Sequence, residues 1–70
     1  MKIVDKYEDK NSTFFAVQLA ENVFVDIKAA ESLYYVMQCE DGRMAYNNKG
    51  DTLDVAFDEN AVIAFVKGQP

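Results

Sequence analysis

Polar and apolar positions alternate along this chain in short runs. In "TFFAVQL", Phe15, Val17 and Leu19 fall on one side and Phe14, Ala16 and Gln18 on the other. In "VFVDIK", Val23, Val25 and Ile27 alternate with Phe24, Asp26 and Lys28. A period of two places one set on a single sheet face, so both runs read as strands with one buried face. The polar interruption "AEN" joins them as a hairpin. Upstream, Lys2–Glu8 is a further strand, closed by the turn cluster "DKNST". Downstream, "DTLDVAF" sets Leu53, Val55 and Phe57 against Thr52, Asp54 and Ala56, again with strand periodicity.

Two stretches fit both periods. In 29–39, "AAESLYYVMQC", a helix would put Ala30, Leu33, Tyr34 and Met37 on one face, with Gly42 as its stop. A strand would line up Leu33, Tyr35, Met37 and Cys39. The Tyr-Tyr-Val run favours the strand, and "EDGR" before "MAYNN" looks like a hairpin return at Asp41-Gly42. "NNKG" supplies a second tight turn. The run 61–66, "AVIAFV", reads as a closing strand. As a helix it would have Asp58 for a cap, Lys67 in its last turn and Gly68 as its end. A weak echo between 17–27 and 55–65, centred on Glu21-Asn22 and Glu59-Asn60, would make 61–66 a strand if the segments share a structure.

The expected fold is therefore all-β: one domain over residues 1–70, a small antiparallel sheet or barrel of about 5–7 short strands. The alternative is α+β, with a helix at 29–39 and a short C-terminal one. A chain of this size buries only about 60% of the surface its unfolded form exposes, so stability is expected to be modest.

Composition narrows the function classes. The net charge is −5 at pH 7, which disfavours phosphate backbones and anionic lipid and favours basic surfaces. No apolar run approaches the roughly 20 residues of a membrane helix. The N-terminal run "MKIVDKYEDKN" has no signal-like apolar stretch. The single cysteine, Cys39, forms no internal disulfide. Together these point to a cytoplasmic protein.

Candidate chemistry is sparse. The absence of histidine removes the common triads and the usual neutral-pH base. Cys39, with Arg43 near it in sequence, reads better as a small buried hydrophobe than as a nucleophile. Glu40-Asp41, Asp51, Asp54 and Asp58-Glu59 are the acids from which a catalytic pair could be drawn, yet they fall at turns and on polar sides of strands. The loop from Glu40 fails the calcium-hand pattern, with Gly42 and Met44 where oxygen ligands belong. The glycines form no phosphate loop. Aromatics interleaved with acids do not suit single-stranded nucleic acid; for imitation of nucleic acid the acidic charge speaks weakly in favour and the alternation of acids with lysines against. No catalytic, metal-binding or cofactor-binding residue is assigned, and no cofactor is expected.

Binding to another protein is what remains. The expectation is a small non-enzymatic module such as an inhibitor, adaptor or regulatory subunit, of the size class that phages also encode. Its partner is another protein with a basic surface rather than nucleic acid or membrane. Tyr34, Tyr35 and Tyr46 are expected to give apolar contact, and Glu40, Asp41, Asp54 and Asp58 charge. Two alternatives stand beside it. A homo-oligomer, a homodimer above all, would hide the apolar faces against a second copy. A very small carboxylate-dependent enzyme would need a bound metal or an acid with a raised pKa.

Overall fold

A computed structural model describes residues 1–38 and 42–69. Its strands are β1 (Lys2–Asp9), β2 (Ser12–Ala20), β3 (Val23–Ala30), β4 (Leu33–Val36), β5 (Ala45–Tyr46) and β6 (Thr52–Leu53), followed by one helix, α1 (Glu59–Lys67). All strands join one antiparallel sheet in the order β1-β2-β3-β5-β6, with β4 also on β3. The fold is thus mostly antiparallel sheet with a short C-terminal helix.

The first four strands form a meander through tight connections. Asp9 pairs Ser12, Ala20 pairs Val23 and Ala30 pairs Leu33. Each link needs a left-handed residue, supplied by Lys10 (φ 55°), Asn22 (φ 73°) and Glu31 (φ 58°). Asparagine tolerates that region, whereas lysine and glutamate are strained there.

The core lies on one side of the sheet. Phe15, Val17, Val25, Ile27 and Val36 are buried on it beneath Val62 and Val66 of α1. These two helix residues, one turn apart, make the stripe that binds helix to sheet. Asp58 caps the helix by accepting from the Ala61 N–H at 3.1 Å, and Lys67 lies in the last turn. Gly68 ends it at φ −78°, a conformation any residue adopts. The reading of 61–66 as a strand is therefore corrected to helix, and the echo between 17–27 and 55–65 carries no shared structure. A capped N-terminus and i, i+4 burial outweigh the β-branched content.

Residues 29–39 do not form a helix where described. Ala29 and Ala30 finish β3, Glu31-Ser32 turn, and Leu33–Val36 pair back as β4. The face that is buried is Tyr34 and Val36, whereas Leu33 and Tyr35 are exposed. Cys39, and Asp41 of the turn expected at Asp41-Gly42, lie outside the described residues, while Gly42 takes φ 88°.

β4 and β5 do not pair with each other as the two legs of a hairpin. Both follow the same edge of β3. Val36 pairs Ile27, the Met37 N–H donates to the Asp26 carbonyl at 2.8 Å, and Tyr46 then pairs Phe24. Ala45, fully buried, takes the place opposite Val25. Met37, Ala45 and Tyr46 thus occupy consecutive positions along β3. The Asn47–Gly50 turn forms as its residues demand. The Asn47 side-chain oxygen accepts from the Lys49 and Asp51 N–H groups, and Gly50 takes φ 87°. Beyond β6 the expected strand stops at Leu53, yet Val55 and Phe57 stay half-buried while Asp54 and Ala56 are exposed.

Candidate functional site

The sheet face away from α1 carries three cross-strand rows. Tyr7, Phe14, Lys28 and Tyr35 stand in register across β1, β2, β3 and β4. The rings of Tyr7 and Phe14 stack with centroids 4.9 Å apart. The Lys28 ammonium sits 5.7 Å from the Phe14 centroid and 5.9 Å from that of Tyr35, so it bridges two aromatic faces. The next row is Asp5, Ala16 and Asp26, with Met37 beyond. The third holds Gln18, Phe24, Tyr46 and Thr52, with Phe24 and Tyr46 stacked at 5.5 Å.

A bulge in β1 sets the first two rows. Ile3 pairs Val17, but Asp5 pairs Ala16, so Val4 is the extra residue. One inserted residue reverses the side to which every later residue points. Ile3 therefore packs against the core, while Asp5 and Tyr7, of the same parity, face the opposite side.

The central row is the concave part of the face. Ala16 leaves a hollow of about 240 Å³ between Asp5 and Asp26, with the Tyr7, Phe14 and Tyr46 rings on its walls. The Tyr46 hydroxyl donates to Asp26 Oδ1 at 3.0 Å. Burial pushes the Asp26 carboxyl above its ordinary range; the hydrogen bond from Tyr46 opposes this, and the charge of Asp5 adds to it. Tyr46 is pushed up to about 12, first by burial, then by the neighbouring Asp26 carboxylate and the bond to it. Tyr46 therefore stays a protonated phenol at neutral pH and donates to the Asp26 carboxyl.

The sequence-expected binding residues are dispersed. Tyr35 and Tyr46 share the outer face with the hollow. Tyr34 is on the opposite side, half-buried against the core, with the Lys67 ammonium 5.3 Å from its ring. Asp58 is engaged as the helix cap. Asp54 is exposed between β6 and α1, and Glu40 and Asp41 lie outside the described residues. Arg43 donates to the Phe57 carbonyl at 3.1 Å and lies 3.2 Å from Glu59, which holds it beside the helix N-terminus. Asp5, Tyr7, Phe14, Phe24, Asp26 and Lys28 were not singled out by sequence. The available signal was that Phe14 and Phe24 occupy the outward side of strands whose inward side is already apolar.

Among the described residues no group of three or more His, Cys, Asp or Glu side chains is placed to hold a metal ion. No described helix is long and apolar enough to cross a membrane. No protein-family model, curated protein or solved structure matches this chain.

Proposed function

We propose that this chain is a non-enzymatic binding module that holds a basic segment of another protein against the outer face of its sheet. The observation that supports this is where the exposed apolar surface lies. Tyr7, Leu33 and Tyr35 are 57%, 64% and 42% exposed, and all three stand on the face that α1 leaves uncovered. Half-buried Phe14 and Phe24 continue that surface inward. Aromatic anchors of this kind dominate protein interfaces. The charge of −5 and the two acids at the centre of the face select a basic partner.

The enzyme reading keeps one observation in its favour, the raised carboxyl of Asp26. Its neighbour Tyr46 retains its proton to about 12, so it does not serve as the partner base of a proton relay. A cation is the simpler complement to two carboxylates among rings.

The test compares capture from the lysate of the source cell or its host by the wild-type chain and by a Leu33→Ser/Tyr35→Ser variant. A partner that the variant loses, and that moderate salt weakens, supports the reading. A partner retained equally by both contradicts it.

A further inference from the structure

We propose that the hollow over Ala16 receives one cationic side chain of the bound segment, a lysine ammonium or an arginine guanidinium. This rests on the reading of the outer face as the partner-binding surface and assigns that face its specificity-determining position.

Three features of the hollow converge on an organic cation. Its floor is a small residue, Ala16, in register between two carboxylates, Asp5 and Asp26. Tyr7, Phe14 and Tyr46 line it, so the alkyl stem of a lysine or arginine can pack there with its charge beside the acids. The Lys28 ammonium lies over Phe14 and Tyr35 in the neighbouring row. Lys28 is committed there, and no lysine or arginine is among the described residues that line the hollow. Among the described residues Asp26 accepts a side-chain bond from Tyr46, through Oδ1, which leaves Oδ2 to receive a donor.

Size and donor set separate this ligand from others. A hollow of about 240 Å³ is smaller than the roughly 300–1,000 Å³ pockets that enclose drug-sized ligands. It suits the end of one side chain. A hard metal ion would ask for about six oxygen ligands, whereas two carboxylates and a phenol amid rings offer a poor shell. An uncharged alkyl group would leave Asp26 facing apolar atoms without compensation.

The experiment is a nitrogen-edited amide NMR titration of the wild-type protein with n-butylammonium, with n-butylguanidinium and with neutral n-butanol, all at one ionic strength. Saturable shifts are expected at Asp5, Ala16, Asp26 and Tyr46 with either cation and not with butanol. An Asp5→Asn/Asp26→Asn variant, its fold checked by its own amide spectrum, should bind the cations about tenfold more weakly. Unsaturable shifts, or equal shifts from butanol, overturn the proposal. The same titration with a lysine-rich peptide separates the two levels. Peptide shifts along the Tyr7–Tyr35 row that the double variant leaves unchanged would overturn the cation site and leave the face reading standing. The loss of peptide shifts in that variant supports both.

Discussion

The bond from Tyr46 to Asp26 joins two strand residues whose ionisation opposes folding in different pH ranges. Asp26 is raised in the folded chain, so the unfolded chain releases this proton first. Its contribution to stability is whole below its ordinary value of 3.8 and falls as pH rises through the folded value. An Asp26→Asn variant should therefore gain on the wild type as pH rises from about 4 toward neutrality, measured by urea unfolding at stepped pH. Tyr46 follows the same sign at the other end. Its neutral form contributes fully below its ordinary 10.0, and that contribution is lost as pH passes about 12. Tyrosinate absorbance should show a late component that Tyr46→Phe removes, and that variant should lose about 1 kcal/mol at neutral pH because Asp26 loses its donor. If Tyr46→Phe instead removes amplitude near the ordinary 10.0 and no late component, the bond is absent in solution.

At the scale of elements, the turns and the helix cap were legible and the route of the chain between them was not. Asn47 to Gly50 and Glu21-Asn22 announce turns because their residues satisfy backbone demands locally. Asp58 likewise caps α1 wherever the helix packs, and Asp58→Ala should cost about 1 kcal/mol in chemical denaturation. The choice between helix and strand at 61–66 rested on whether Val62 and Val66 meet a partner, which is a tertiary fact. The Asp41-Gly42 signal misdirected the pairing. The edge of β3 is long enough to take both β4 and β5, so the segments align end to end rather than side by side. A direct junction of Met37 to Ala45, with 38–44 deleted, should then preserve the β3 register and a cooperative melt. Loss of the folded amide spectrum would show that residues 38–44 are needed to place β5. The site was hidden for a similar reason. Phe14 and Phe24 stood visibly on the outward side, but Asp5 and Tyr7 join them only because Val4 bulges, and nothing in "KIVDKYED" marks that insertion.

For the whole molecule, the question is what covers the outer face. α1 is the only described element outside the sheet, and it protects the core side. A second copy is a poor cover. Docked about an axis through the hollow, it would bring Asp5 and Asp26 against the same pair, where desolvated like charges repel. Edge-to-edge pairing through β1 meets Lys2, Asp5, Lys6, Glu8 and Asp9 and the bulge at Val4, devices that blunt an edge. The free chain should accordingly melt at a temperature independent of concentration, and a melt that rises with concentration would favour the homo-oligomer. The proposed basic segment would meet both the aromatic rows and the acids between them. The most direct test of that claim is amide shift mapping with a short lysine-rich peptide at low and at moderate salt. The account predicts shifts confined to the rows through Phe14, Ala16 and Phe24, weakening as salt rises. Shifts on the α1 side, or none at low salt, would contradict it.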